Sequence, residues 1–408
     1  MPVKYSIVIP TRNRAEYLPY AVRSVLDSDR DDVELVVSNN HSSDGTDRFL
    51  SELNDPRLRI IQPSIVLPMA GHYEFAINEA RGDWITLLGD DDAVMPYIFE
   101  RLDHYIEEFS DTDIISSARA YYFWEGCEDF YGNSVVGYQS RQEATLRSTK
   151  RDLMSVLKGT RSCFDMPQIY TTSMIKRSLY EEIKSKSGGC FYHSIIPDMY
   201  SVVALYLSRN TYLRVEEPLF WVGTSNKSMG RSDRIYRDAE QFNDDYLAEY
   251  PCIPRKISEQ ISYTIHSNAF SAMYIYECLL SSPLKQQEHF SSRLRMKVLA
   301  AVLTDLRSNK RGDSERKEVI SAIREECQSY GISLVFVRVI SMMNLVRSRL
   351  HWLFRLPARV MRRLGLSRST ISLRSTIRAD FPTIADASDA VSDRVIHAHK
   401  SNLLQSKQ

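Results

Sequence analysis

The chain has 408 residues, enough for two or three domains, with 43% hydrophobic and 25% charged residues, an ordinary globular balance. A formal net charge of zero gives no global field to draw in nucleic acid. No run of about 18 consecutive apolar residues occurs and the start, Met1-Pro2-Val3-Lys4-Tyr5, lacks a signal-peptide core, so neither a transmembrane helix nor a secretory leader is expected.

Tyr5 to Ile9 is a short β-rich run ending in the polar stretch Pro10-Thr11-Arg12-Asn13-Arg14. Ala15 to Leu26 has helical spacing, with Leu18, Val22, Val25 and Leu26 on one face. Val33 to Val37 predicts a second strand. It ends in the loop 38–46, where Asp44 or Thr46 can cap the next helix. Leu58 to Ile61 predicts a third strand, Met69 to Ala80 a helix, and the run from Trp84 a fourth strand. Strands alternating with helices point to an α/β domain with a parallel sheet and helices on both faces. Ligands of such sheets bind at the carboxyl ends of the strands, where the loops 10–14, 38–46 and 89–92 fall. Neither Gly-x-Gly-x-x-Gly nor Gly-x-x-x-x-Gly-Lys occurs, which argues against dinucleotide and P-loop chemistry.

The fourth strand runs into Asp90-Asp91-Asp92. Three adjacent carboxylates repel one another, and holding a divalent cation shared with substrate phosphates is one use for them. The other is an acidic turn offsetting the dipole of a helix opened by Pro96.

Ile7-Val8-Ile9-Pro10-Thr11-x-Asn13-Arg14, then Ser38-x-Asn40-x-Ser42-Ser43-Asp44-Gly45-Thr46, then Ala80-x-Gly82-Asp83-Trp84 leading to Asp90-Asp91-Asp92 and Pro96, resemble family 2 glycosyltransferases of the GT-A fold. The resemblance covers residues 4 to about 110 closely, and more loosely to about 232. It implies a nucleotide-sugar donor, with a UDP-sugar favoured, a Mn²⁺ or Mg²⁺ ion, and transfer with inversion. By that resemblance Pro10, Thr11, Asn13, Arg14, Asn39 and Asn40 hold the nucleoside, and Asp90, Asp91 and Asp92 hold ribose and metal-diphosphate. Asp92 is the expected metal ligand with Asp90 or Asp91 second, the remaining carboxylate facing the ribose. The chain departs from the family in having Asn39 where an Asp is usual, so Asn39 either contacts the base or caps its loop.

Tyr97 to Phe109 predicts an amphipathic helix and Asp113 to Ser117 a strand. The aromatic-rich segment 118–147 either lines an acceptor pocket or packs as core. Inversion needs a base for the acceptor hydroxyl. The resemblance puts it at Asp198 in Ile196-Pro197-Asp198-Met199, heading a buried helix over 199–207; the bland alternative is an N-terminal cap, and Asp165 is the second candidate. Thr211 to Val215 and Leu219 to Val222 predict two strands. Gly223 to Arg231 is a loop in which Lys227, Ser228 and Arg231 suit a diphosphate, although the His that many family members carry there is missing.

Residues 236–330 show helical periodicity in about four segments and no evident chemistry. Between Gly331 and Ala379 lie ten arginines and no Lys, Asp or Glu. Over 333–366 they interleave with an apolar repeat, which suits an anionic membrane surface or an acidic face of the same protein. Six cysteines, at 127, 163, 190, 252, 278 and 327, show no zinc or redox spacing, consistent with reduced thiols in a cytosolic protein. The expected organisation is a GT-A domain over 1–232, a helical appendage over 233–330 that could serve in a homo-oligomer, a basic amphipathic segment over 331–379 and a polar tail over 380–408. The expected function is metal-dependent sugar transfer to a glycan or lipid-linked acceptor at the inner membrane face, in surface polysaccharide synthesis, without nucleic acid. A binding or scaffold protein without turnover and a sugar nucleotidyltransferase are the alternatives.

Overall fold

The computed structural model describes residues 2–127, 143–194, 196–228, 268–284, 292–308, 313–346 and 383–389. Its centre is a nine-stranded mixed sheet in the order β3-β2-β1-β4-β8-β6-β9-β5, with β7 on β9. The strands are β1 (Tyr5–Thr11), β2 (Val33–Asn39), β3 (Leu58–Ile61), β4 (Trp84–Leu87), β5 (Ala93–Val94), β6 (Ile114–Phe123), β7 (Ala144–Ser148), β8 (Ser173–Lys176) and β9 (Thr211–Thr224). The first four run parallel. Parallel pairing needs crossovers, supplied by α1 (Leu18–Leu26), α2 (Thr46–Ser51) and α3 (Met69–Asn78).

The parallel sheet expected over the first strands is present, and β8 adds to it antiparallel to both β4 and β6. Being antiparallel, β8 begins where β4 ends, so the residues just before it face the crevice at the sheet's carboxyl edge. Alternation along β1 sends Tyr5, Ile7 and Ile9 to one face, against Leu18, Val22 and Val25 of α1 and Leu102 of α4 (Ile98–Glu108). Val8 and Val36 face the other side, with Ala76 and Ile77 of α3. That face is also covered by α5 (Thr149–Leu157), α6 (Arg177–Lys186) and α7 (Pro197–Ser208).

The two strands expected over 211–222 are one, β9, with a bulge. Ser117 pairs with Val215 but Ala118 pairs with Pro218, so Glu216 and Glu217 are extra. The bulge turns Glu217 inward to Arg101 Nε at 2.8 Å and to the Tyr105 hydroxyl at 2.9 Å. The start of the aromatic segment is the extension of β6 to Phe123. Tyr122 and Trp124 pack as core with Trp221, while residues 128–142 lie outside the described ones.

Of the helical region, α8 (Asn268–Ser281), α9 (Ser292–Ser308) and α10 (Asp313–Ser329) are described, followed by helical residues 334–346. Met273, Ile275, Val298 and Val319 share one apolar cluster with Val156 of α5 and Val202 of α7. The short helical turn 384–389 packs Ile384 and Ala387 against Trp221, Tyr122 and Trp124.

Candidate active site

Three loops meet at the carboxyl ends of β1, β2 and β4. Thr11, the last residue of β1, donates its hydroxyl to Asp90 Oδ2 at 2.9 Å, and Arg14 Nε lies 3.6 Å from Asp90 Oδ1. Asn13 takes a left-handed conformation (φ 56°), which a short polar side chain tolerates. Its backbone N–H donates to Ser42 Oγ at 2.9 Å, and its side-chain Oδ1 accepts from Ser43 N–H at 2.7 Å, joining the first loop to the second. The N-cap of α2 is Gly45, without a side-chain cap, and Asp44 just before it accepts from the backbone N–H of Thr46 at 3.1 Å.

Asn39 and Asn40 are spent on the wall of the crevice. Asn39 Oδ1 accepts from Ser42 N–H at 3.1 Å and Ser42 Oγ at 2.6 Å, while its amide donates to Asp47. Of the two readings of Asn39, its geometry fits the loop cap. Asn40 exchanges two hydrogen bonds with the backbone of Leu67, at 2.7 and 2.9 Å. Pro10 and Thr11 pair with Ser38 and Asn39 in the sheet and bring the two loops level.

The three adjacent carboxylates turn to different partners. Asp92 Oδ1 accepts from Gly223 N–H at 2.6 Å, and its Oδ2 accepts from Gly89 N–H at 3.1 Å and from the Thr171 hydroxyl. Both of its oxygens thus accept hydrogen bonds from the protein, and Oδ1, with a single donor, keeps acceptor capacity for a cation. Asp91 Oδ2 accepts from Ser225 Oγ at 2.8 Å and from Ser228 Oγ, and its backbone carbonyl accepts from Trp124 Nε1 at 2.9 Å. Asp91 Oδ1 has no hydrogen-bond partner among the described residues. Burial raises the pKa values of Asp90 and Asp92, and their neighbours' charges, Asp91 above all, push the same way; Arg14 opposes this at Asp90. An all-oxygen set suits Mg²⁺ or Mn²⁺. Among the described residues no three His, Cys, Asp or Glu side chains close on one point. The residues therefore fit such an ion through the carboxylates of this turn, with a bound diphosphate completing the shell.

The loop after β9 closes over this turn. Arg14 Nη2 donates to the Lys227 carbonyl at 2.6 Å, while Arg14 Nη1 is buried without a partner among the described residues. Ser228 reaches Asp91 as described, but the Lys227 ammonium lies outward, 3.5 Å from Glu16 and over the Tyr17 ring. Arg231 lies outside the described residues. Gly223 is required for this approach, because a Cβ there would fall on the Asp91 carbonyl.

Asp198 occupies the first turn of α7, behind Pro197, and is half-buried. Burial raises its pKa, opposed by the Met199 N–H and by the Arg119 guanidinium. Tyr73 and Tyr170 are stacked at 5.9 Å with rings 5° from parallel. The Tyr73 phenol feels the charges of Asp198, Asp90 and Asp92 together. Tyr192 meets Tyr73 edge-on at 6.4 Å, and its buried hydroxyl has no partner among the described residues. Glu74 of α3 fixes that loop by accepting from the backbone of Phe191 and Tyr192 at 2.9 and 3.0 Å. Asp165 is exposed beside Arg161, 3.9 Å away, which leaves Asp198 as the carboxylate set into the crevice. Sequence reasoning missed Tyr73, Tyr170, Thr171, Tyr192 and Arg119. The polar run Tyr170-Thr171-Thr172 was visible, but its importance depends on β8 running antiparallel.

Residues 6–183 match the family described as Glycosyl transferase family 2. Glycosyltransferase GlyG of Streptococcus pneumoniae is 23% identical over 216 residues, 51% of this chain and 69% of that protein. The GalNAc(5)-diNAcBac-PP-undecaprenol beta-1,3-glucosyltransferase of Campylobacter jejuni is 30% identical over 95 residues, 22% of this chain and 31% of that protein. Succinoglycan biosynthesis protein ExoO of Rhizobium meliloti is 33% identical over 102 residues, 25% of this chain and 28% of that protein. A crystal structure of S. aureus TarS 1-349 in complex with UDP-GlcNAc aligns with a TM-score of 0.48 at 15% identity, covering 81% of this chain and 93% of that one.

Proposed function

We propose that this chain, whose residues 6–183 match glycosyl transferase family 2, is a glycosyltransferase that moves a sugar, with inversion, from a nucleotide-sugar donor to a glycan or lipid-linked acceptor in surface polysaccharide synthesis. A UDP-sugar is the favoured donor. The glucosyltransferase and the succinoglycan biosynthesis protein to which it is similar support the pathway class.

The observation that carries the reading is that two unlike carboxylate sites act on the Tyr73 phenol. One holds Asp90, Asp91 and Arg14, whose Nη1 has no partner among the described residues; the other is Asp198. In the proposed step the acceptor hydroxyl attacks the anomeric carbon and gives its proton to the Asp198 carboxylate, while the bond to the diphosphate breaks. A raised pKa makes that carboxylate a stronger base than an exposed one. Arg14 donates to the departing diphosphate, a charge-assisted bond that strengthens as charge builds. Tyr73 and Tyr170 give the sugar rings an apolar face. When bound, Mn²⁺ or Mg²⁺ on the carboxylates of the acidic turn supplies Lewis-acid neutralisation of the leaving group.

Thermal-shift titration with UDP, GDP, CDP and dTDP, each with and without Mn²⁺, tests the donor site. Stabilisation by one nucleotide that needs Mn²⁺ and vanishes in Asp91→Ala is expected; no stabilisation by any of them refutes the site. Asp198→Asn should keep the donor shift and abolish transfer. Unchanged transfer would remove Asp198 from the role.

A further inference from the structure

We propose that the helix over residues 334–346 is a docking face for an anionic lipid bilayer, on which it lies without crossing. Val335, Phe336, Val339, Met342, Met343 and Val346 are 66, 63, 47, 59, 65 and 55% exposed. At 3.6 residues per turn they fall within roughly 120° of the helix circumference. Val337 and Ser341, on the opposite side, are buried in the protein. The helix is thus apolar on both sides, and one of those sides faces outward. Six large apolar side chains in one contiguous stripe are more than a soluble surface ordinarily carries, and such patches mark interaction sites.

The charge around the stripe selects the occupant. Arg338 is the one charged residue within 334–346, and it is exposed at the edge of the stripe. Arg347 and Arg349 follow directly in the sequence, and from Gly331 to Ala379 there are ten arginines and no Lys, Asp or Glu. An apolar face bordered by cations matches a bilayer whose headgroups are anionic and whose acyl boundary accepts Phe, Met and Val. A second copy of the chain is the poorer match, because a twofold contact sets like patches together and would bring arginine against arginine. None of the described helices is long and apolar enough to cross a membrane.

The test is co-sedimentation of the full chain with vesicles of phosphatidylglycerol and phosphatidylcholine, and with phosphatidylcholine alone. Wild type should bind the anionic vesicles and release with salt. Phe336→Ser with Met343→Ser should lower the bound fraction by about tenfold or more. Arg338→Glu with Arg347→Glu and Arg349→Glu should weaken anionic binding to a similar degree. Both variants should keep the wild-type melting temperature and donor shift, since Phe336, Arg338 and Met343 are exposed on the outer side of the helix. Equal binding to both vesicle types, or binding that survives the Phe336 and Met343 pair, overturns the proposal. So does a concentration-dependent dimer in sedimentation velocity that this pair abolishes, which would assign the face to a second copy. The readout needs no turnover, so its failure is separate from failure of the donor site.

Discussion

Asp92 accepts hydrogen bonds on both oxygens, two of them from backbone N–H groups that would otherwise be buried without partners. Asn at this position presents an amide where a backbone donor already points, so Asp92→Asn should destabilise by about 3 kcal/mol, read as a fall in melting temperature with no nucleotide present. Asp91→Asn should melt near wild type and lose the Mn²⁺-dependent donor shift. Equal melting temperatures for the two would contradict this division of labour. His72 offers a second residue-level prediction. It is buried against Ser38 Oγ at 2.9 Å, and burial lowers its pKa from 6.5 to about 4. The unfolded chain therefore binds the extra proton first. Stability is complete above pH 6.5 and falls as pH drops towards 4, by about 3 kcal/mol in all. His72→Gln should flatten this part of the stability profile between pH 7 and 5.

Among the elements, the helical region serves the crevice through α8. The Tyr274 hydroxyl bonds Ser194 Oγ and accepts from Ile196 N–H at 3.2 Å, bracing the turn that carries Asp198. Tyr274→Phe should cost about 1–2 kcal/mol and lower kcat several-fold, with donor affinity unchanged. A loss confined to stability would show that the brace does not reach Asp198. Gly223→Ala should be far more damaging, because its Cβ would meet the Asp91 carbonyl; overpacking of about 2–3 kcal/mol and loss of the donor shift are expected. The elements were legible where periodicity is local. The alternation of Tyr5, Ile7 and Ile9, and the spacing of Leu18, Val22 and Val25, announce β1 and α1 because one face of each is core. β8 is four residues long, and its position comes from pairing with segments far away in sequence. The bulge of β9 made one strand read as two. The acidic turn was legible as a loop at a strand end, but the different hydrogen-bond partners of Asp91 and Asp92 were not. They include Gly223 and Ser225, 131 and 134 positions away.

At the scale of the molecule, the helical turn 384–389 ties the far end of the chain to the crevice wall. Ser388 Oγ accepts from Trp221 Nε1 at 3.1 Å, and Ile384 is buried against the aromatic cluster that includes Trp124. Trp124 in turn holds the Asp91 carbonyl. Removing residues 383–408 should cost about 2–3 kcal/mol of apolar burial, shift tryptophan fluorescence, and weaken nucleotide binding. Unchanged fluorescence and affinity would mean that the turn does not support the wall. The sharing of one cluster by Val156, Val202, Ile275 and Val298 makes α8 and α9 part of the same core as the sheet.

The bonds from Asp92 to Thr171 and Gly223 span 79 and 131 positions of sequence. A ribosome adding about 5–20 residues per second needs on the order of ten seconds to cover the longer interval. Throughout that time the nascent chain carries β1 to β4 complete but the acidic turn unclosed, its carboxylates facing water. Folding of the crevice is thereby timed by synthesis: the sheet waits, open at its carboxyl edge, until β9 emerges to close it.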